Sequence, residues 1–422
     1  MPKVPKISKY FFMFMMFLWV AGVTPLTGFN ISQNPILAPM YMLIIFLYYI
    51  NYCKYSFRPL IYFIGIIGIW FIFNSIKYQT MQPISFPMIY SIMIAHVAFN
   101  IFSKEEFFEM FERILVLLSL LSIIVWGAAN IIGDSFVQLM HSIAVVRDRP
   151  PTETHSFIVG LGSQFEMGLR RNIGFTWEPG RFSCWILLGM FINLIRNHFV
   201  VFTKKNKSFF ILLIALLTTL STTGYASLGV LIIFYLLNKK SNLSKIIIIG
   251  LVSLILPTIL GLSFMNEKII HLFNIDNDFR AMEYYHTVQG TKDMCPQRFA
   301  GMYISLKNFI HDFFLGFNQI ENSYYSAEVY NHTMRIVPSE GIFGIGGQYG
   351  VFIAIFFYFW LIKSSKKIAE SFMYKGSFLF AVFFIVISFS YGFWENCIFM
   401  YLYLCAFYNK FDKRYFEGVT AK

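Results

Sequence analysis

Three arginines, one glutamate and two glycines fall within twelve residues at the end of one polar stretch of the chain. This segment, 170–181, contains Arg170, Arg171, Glu178 and Arg181. The planar fork of a guanidinium suits a pyrophosphate better than the point charge of a lysine does. The Pro-Gly pair that precedes Arg181 forces a turn just before an apolar run. Arginines that only reach for lipid headgroups do not need such a turn, so the pattern favours an anion site.

A second polar stretch carries another set of residues capable of chemistry. From Arg298 to Phe314 the apolar residues recur at helical spacing, which predicts an amphipathic helix over 298–314 that lies on the membrane or on the rest of the protein. Arg298, Ser305, Asn308 and Asp312 fall on its polar face. His332 follows in an Asn-His pair, and its spacing leaves open whether it is functional or idle.

The composition requires that these polar stretches be positioned by a membrane-embedded scaffold. Hydrophobic residues make up 57% of the 422 residues and charged residues only 13%. A water-soluble domain carries roughly 25% charged residues. The apolar residues also form runs of about 17–25 residues, the length that spans a bilayer. We therefore predict an all-α polytopic membrane protein.

Twelve apolar runs can be distinguished. They are 10–26, 36–53, 58–76, 84–102, 113–133, 180–199, 208–221, 223–238, 244–265, 339–363, 375–391 and 393–409. The stretch 208–238 could be one long helix, but both of its flanks are rich in lysine. Two helices that meet at Ser221-Thr222-Thr223-Gly224 keep both flanks on one side of the membrane, because short cytoplasmic loops collect Lys and Arg.

The charge distribution predicts the topology. With both termini cytoplasmic, the inside carries 22 Lys and Arg and 7 acidic residues, a net charge of +15. The outside carries 12 Lys and Arg and 15 acidic residues, a net charge of −3, and the two values sum to the net charge of +12. The predicted organisation is helices 1–5 in 1–133, a first external loop in 134–179, helices 6–9 in 180–265, a second external loop in 266–338, and helices 10–12 with a cytoplasmic tail in 339–422. This asymmetry accounts for the basic charge without a nucleic-acid partner.

The remaining residues argue against several other classes of protein. The five cysteines show no paired spacing, which disfavours a zinc site or a disulfide framework, and no acidic cluster suggests a metal. We expect no cofactor. His96 and His198 are the main ionisable candidates within or near the apolar runs, and a proton-coupled transporter would usually place more such groups there.

The order of these motifs resembles the O-antigen polymerases and O-antigen ligases over about residues 165–360. The similar features are Arg170/Arg171-x-x-Gly174, the Ser221–Gly224 break, Arg298 opening an amphipathic helix, Leu315-Gly316-Phe317, Asn331-His332, and Glu340-Gly341-x-x-Gly344 entering a span. In many relatives the Asn-His pair is reversed, and the family's arginine in the Ser-rich break is absent here. The Trp177-Glu178-Pro179-Gly180 turn is more similar to the polymerases.

The resemblance implies a metal-independent glycosyltransferase with a GT-C-like membrane fold in a bacterial inner membrane. Its substrates would be undecaprenyl-pyrophosphate-linked glycans in the surrounding membrane lipid. Arg298, His332 and Glu178 would then be catalytic, with His332 and Glu178 as candidate bases, and Arg170, Arg171 and Arg181 would bind pyrophosphate. Two alternatives stay open, an O-antigen ligase and a lipid-linked oligosaccharide flippase. The sequence also leaves open whether a chain-length regulator protein binds.

Overall fold

A computed structural model of the chain describes most of the predicted helices and parts of both predicted external loops. The described residues are 4–21, 31, 34, 36–53, 58–79, 86–143, 154–156, 159–166, 168–201, 206–238, 246, 250, 279–280, 282–284, 286–287, 293–296, 298–317, 319–338, 341–389 and 391–407. The ninth predicted apolar run, the start of the second loop and the predicted cytoplasmic tail lie largely or wholly outside these residues.

Within the described residues the fold is mostly helical. The helices are α1 Lys6–Ala21, α2 Leu37–Tyr52, α3 Arg58–Tyr78, α4 Phe86–Ile101, α5 Lys104–Ile132, α6 Asp134–Ile143, α7 Pro179–Arg196, α8 Lys207–Thr218, α9 Thr222–Asn238, α10 Arg298–His311, α11 Gly344–Phe372, α12 Leu379–Ser388 and α13 Cys397–Leu404. The short strands are β1 Thr154–Ser156, β2 Val159–Glu166, β3 Leu169–Asn172, β4 Asp293–Met294 and β5 Arg335–Ile336.

The apolar helices mark a membrane-embedded protein. Three of the described helices, Leu60–Tyr78, Lys104–Ile132 and Gly344–Phe372, are long and apolar enough to cross a bilayer, and shorter apolar helices accompany them. A described helix lies on each of the predicted apolar runs except 244–265. The helical membrane architecture is therefore confirmed, whereas the total of twelve spans stays a prediction.

Contacts sort the helix ends into two groups. Lys9 pairs with Glu106, Lys104 donates to Ser371, and Asn238 donates to the carbonyl of Lys375, so ends predicted to be cytoplasmic lie together. At the opposite ends, Arg171 donates to the carbonyl of Thr219 and Arg181 to that of Val20. The alternation of helix directions read from the sequence agrees with this grouping. The compartment that each group faces stays a prediction.

The first predicted external loop contains more regular structure than the sequence indicated. It begins with α6 and continues into a three-stranded antiparallel sheet in the order β1-β2-β3. The expectation of a purely helical fold was therefore incomplete. Strand β2 is irregular between Leu161 and Phe165, and the alternation of small, polar and apolar residues there is too short to distinguish a strand from a loop.

Helix α10 confirms the predicted amphipathic helix, although it ends at His311 and its faces are used differently. The polar residues Ser305 and Asn308 are buried, whereas Ile310 is exposed. The burial arises because Gly347, near the start of α11, leaves room beside Ser305 and Asn308. The helix therefore packs its small and polar face on the protein and leaves apolar side chains outward, as suits contact with lipid.

A turn that follows α10 fits into a break in α11. Gly350 has φ 78° and ψ 175°, a conformation essentially restricted to glycine. The backbone around the break is satisfied by the turn, since Val351 N–H donates to the carbonyl of Phe313 at 2.8 Å and Phe317 N–H to that of Gly347 at 3.0 Å. A side chain at Gly350 would overlap the carbonyl of Phe314. This interlock fixes the segment that contains α10 against the bundle.

Candidate functional site

The turn that leads into α7 is held by its own buried polar groups. Asn172 donates to the hydroxyls of Ser122 and Thr218 at 3.1 and 2.9 Å, and its side-chain oxygen accepts from Gly174 N–H at 2.9 Å. Pro179 occupies the first turn of α7, where its missing N–H costs no helical hydrogen bond. This turn therefore ties the segment 170–181 to α5 and α8 and orients the start of α7.

The two adjacent arginines of β3 point to different neighbours, as consecutive strand residues do. Arg170 pairs with Asp134 at 3.3 Å and its guanidinium lies 4.5 Å from the ring centroid of Phe165. Arg171 donates from Nε to the carbonyl of Thr219 at 3.0 Å, beside the break between α8 and α9. Of the two, Arg171 therefore faces the helix ends near α7, and Arg170 faces α6 and the sheet.

Arg181 is buried at the start of α7, with an exposed fraction of 5%. Its guanidinium carbon lies 3.7 Å from the ring centroid of Trp177 and 4.2 Å from that of Tyr391, and Nη2 donates to the carbonyl of Val20 at 2.8 Å. Among the described residues, Nε and Nη1 have no hydrogen-bond partner although both are buried. Buried donors are nearly always satisfied, so these two groups are suited to an anion that enters the site.

The two segments that are predicted to be external meet through an ion pair. Nη2 of Arg298, the first residue of α10, donates to Oε1 of Glu178, which directly precedes α7. The two side chains are largely covered, with exposed fractions of 15% and 34%. The contact joins residues 120 positions apart in the chain. Arg298 is therefore held beside the segment that carries Arg171 and Arg181.

The electrostatics around this contact favour an anion. The N-termini of α7 and α10 meet at the Glu178–Arg298 pair, and helix N-termini carry partial positive charge. Helix α9 also begins nearby, since Ser183 of α7 donates to Ser221 at 3.4 Å. Arg171, Arg181 and Arg298 together carry three positive charges, more than the carboxylate of Glu178 offsets.

Two neighbouring groups show that Glu178 and the arginines share one electrostatic environment. Burial raises the pKa of Tyr391, Arg181 lowers it, and Glu178 raises it again. Partial burial raises the pKa of the Cys295 thiol, Glu178 raises it further, and Arg298 lowers it. Of the five cysteines Cys295 alone is exposed, so it can report on this site chemically.

His332 lies in a different setting from the arginines. It is exposed, adopts φ 60°, and its backbone N–H donates to the carbonyl of Ser326 at 2.8 Å. Within the described part of the chain, no contact connects the ring of His332 with Arg181, Arg298 or Glu178. The described part of the chain also contains no group of three His, Cys, Asp or Glu residues placed to hold a metal ion.

Sequence reasoning missed a polar cluster in the turn between the last two helices. The predicted apolar runs leave only one residue between them, whereas α12 ends at Ser388 and α13 begins at Cys397. In that turn Glu395 accepts from the hydroxyl of Tyr349, and Gln348 Nε2 lies 3.5 Å from the same carboxylate oxygen. The signal that could have revealed the cluster is a lone glutamate next to Trp394 in an otherwise apolar stretch.

Comparison of the chain with protein families, curated proteins and solved structures gives no match.

Proposed function

We propose that the chain is an O-antigen polymerase, a glycosyltransferase that joins undecaprenyl-pyrophosphate-linked repeat units at the periplasmic face of a bacterial inner membrane during lipopolysaccharide synthesis. In the proposed topology both termini are cytoplasmic, and the segment 170–181 and α10 lie on the periplasmic side. The growing glycan leaves its lipid carrier and joins a hydroxyl of the next lipid-linked repeat unit.

The observation that carries this proposal is the meeting of Arg298 with the segment 170–181. The leaving group of the reaction is a lipid pyrophosphate, so catalysis needs cations where that charge develops. Arg298, Arg181 and Arg171 lie at or beside helix N-termini, and Arg181 has two buried donors without a partner among the described residues.

The proposed roles differ between the arginines. Arg181 and Arg298 bind the diphosphate, Arg171 adds positive charge beside the α8–α9 break, and Arg170 contributes less because it pairs with Asp134. Glu178 and His332 were the base candidates read from the sequence. Glu178 holds Arg298 in place, and His332 is exposed in a turn of its own.

A gene deletion separates the polymerase from its closest alternative. On a lipopolysaccharide gel, loss of a polymerase leaves lipid A–core with a single repeat unit, whereas loss of a ligase leaves bare core. Wild-type protein should restore the ladder and Arg298→Lys should not. Arg335→Lys is the matched control, because Arg335 is a half-exposed arginine that pairs with Asp293 and Glu321. An unchanged ladder in the deletion strain would refute the proposal.

The flippase alternative concerns a different kind of activity, since it moves lipid-linked glycan without forming a glycosidic bond. Few ionisable groups lie deep in the described helices, which disfavours coupled transport. Purified protein mixed with lipid-linked repeat units distinguishes the two, because only a polymerase lengthens the glycan.

A further inference from the structure

The proposed reaction needs a general base for the acceptor hydroxyl. The ion pair between Glu178 and Arg298 helps to decide which carboxylate can act as that base. A general base must take up a proton in the transition state. Protonation of Glu178 would break its ion pair with Arg298 at the moment when Arg298 has to stabilise the departing diphosphate. Glu178 is therefore suited to position Arg298 and poorly suited to accept the proton.

Glu395 is a second carboxylate beside the arginine site. It lies half-buried in the turn between α12 and α13, the same turn that supplies Tyr391. Tyr391 lies against the guanidinium of Arg181, and both Glu178 and Glu395 act electrostatically on Tyr391. The turn that carries Glu395 therefore also contacts Arg181 through Tyr391, and Glu178, not Glu395, forms the ion pair with Arg298.

The interlock of α10 and α11 orients Glu395. Tyr349 and Gln348, the two residues before the break at Gly350, both approach its Oε1 oxygen. Trp70 of α3 packs against Tyr349 with ring centroids 5.0 Å apart and donates to the carbonyl of Leu315 at 2.8 Å. The hydrogen bond from Tyr349 and the approach of Gln348 therefore help to fix the direction of this carboxylate in the turn.

We propose that Glu395, held by Tyr349 and Gln348, is the general base that accepts the proton of the acceptor hydroxyl, while Glu178 positions Arg298. This inference rests on the proposed polymerase function. The acceptor oxygen forms a bond with the anomeric carbon of the donor glycan, and the bond from that carbon to the pyrophosphate oxygen breaks. The electron pair leaves with undecaprenyl pyrophosphate, which Arg181 and Arg298 hold, and the hydroxyl proton moves to the carboxylate of Glu395 and then to water.

The test compares Glu395→Gln with wild type, both purified in nanodiscs. The substrate is the lipid-linked repeat unit isolated from the deletion strain, and undecaprenyl pyrophosphate is the binding probe. Glutamine still accepts a hydrogen bond from Tyr349, so the fold should be retained. We expect a fall in kcat of about 100-fold or more, the usual contribution of a general base. KM for the donor and affinity for undecaprenyl pyrophosphate should stay within about threefold of wild type, since Glu395 is not assigned to diphosphate binding.

Two further variants make the result specific. Glu178→Gln should mainly raise KM for the donor and weaken undecaprenyl pyrophosphate binding, because it loosens Arg298. Glu395→Ala should regain part of its activity when formate is added, since a small carboxylate can occupy the vacated position, and a purely structural residue would not respond in this way. Glu321→Gln is the matched control, because Glu321 is a half-exposed carboxylate paired with Arg335, and it should transfer at the wild-type rate.

The outcomes separate the two proposals. A general base contributes about 100-fold or more to the rate. If the transfer rate of Glu395→Gln is within about tenfold of the wild-type rate, the role of Glu395 is overturned and the polymerase proposal stands. Loss of undecaprenyl pyrophosphate binding together with activity, without rescue by formate, would also overturn it in favour of a structural role. Absence of transfer by the wild-type protein would refute the polymerase itself, and with it any base for the reaction.

Discussion

Replacement of Arg181 by methionine should affect binding far more than folding. Methionine keeps an unbranched apolar stem beside Trp177 and Tyr391 but removes the guanidinium. In wild type, two buried donors of Arg181 have no partner among the described residues, and each such group costs about 1–3 kcal/mol. The substitution removes this cost.

The same substitution also removes favourable contacts. The hydrogen bond to the carbonyl of Val20 contributes about 1.5–3 kcal/mol and each of the two aromatic contacts about 0.5–2 kcal/mol. The gains total about 2–6 kcal/mol and the losses about 2.5–7 kcal/mol, so their central values differ by about 1 kcal/mol and the unfolding temperature without ligand should change little. An arginine in a fully satisfied buried ion pair would instead lose about 3–5 kcal/mol on removal of its charge.

The affinity for undecaprenyl pyrophosphate, unlike the unfolding temperature, should change strongly in Arg181→Met. Loss of two charge-assisted hydrogen bonds of about 1.5–3 kcal/mol each predicts that undecaprenyl pyrophosphate binds about 100-fold more weakly or worse. Thermal unfolding in nanodiscs with and without undecaprenyl pyrophosphate measures both quantities, because a ligand that binds only the folded state raises its stability. Arg335→Met serves as the control. If Arg181→Met unfolded far more easily and still bound the lipid like wild type, the guanidinium would be structural and the reasoning wrong.

Four further predictions follow from the same contacts. Arg298→Lys should lose most transfer activity, because lysine keeps the charge but not the fork; normal chain lengths from this variant would argue against diphosphate binding at Arg298. EDTA should leave activity intact, and inhibition that a divalent ion reverses would contradict the metal-free mechanism. The rate at which maleimide labels Cys295 should keep rising with pH beyond the usual thiol pKa, because burial and Glu178 raise the pKa of this thiol. Undecaprenyl pyrophosphate should slow the labelling. If the lipid leaves the labelling rate unchanged, the diphosphate binds elsewhere. Gly350→Ala should lower both the unfolding temperature and the activity, since the new methyl group overlaps the carbonyl of Phe314. The control Gly68→Ala has open space at its Cβ and should change neither. Equal effects of the two substitutions would refute the interlock.

The helices were predictable from the sequence because they depend on regular patterns. Apolar runs reveal membrane helices, and lysine-rich flanks indicate which helix ends share a side. The split at Ser221 was predictable for the same reason, and α8 and α9 indeed end and begin beside it. The amphipathic spacing after Arg298 likewise located α10.

The details of the site depend on contacts between distant residues, which periodicity does not reveal. Whether Arg170 or Arg171 faces α7 is set by the pairing of β3 with β2, where Phe165 lies opposite Arg170. The position of Glu395 depends on the break at Gly350, which exists because the turn containing Gly316 fills it. The burial of Ser305 and Asn308 has a similar origin, since the nearby Gly347 leaves room for a polar face against α11.

The most direct test of the central claim measures both products of the reaction. Purified wild-type protein in nanodiscs is incubated with lipid-linked repeat units from the deletion strain, and glycan length and released undecaprenyl pyrophosphate are quantified together. The account predicts a ladder of longer glycans, one released lipid pyrophosphate for every bond formed, and loss of both products in Arg298→Lys. No lengthening and no lipid release by wild type, or identical products from wild type and Arg298→Lys, would contradict it.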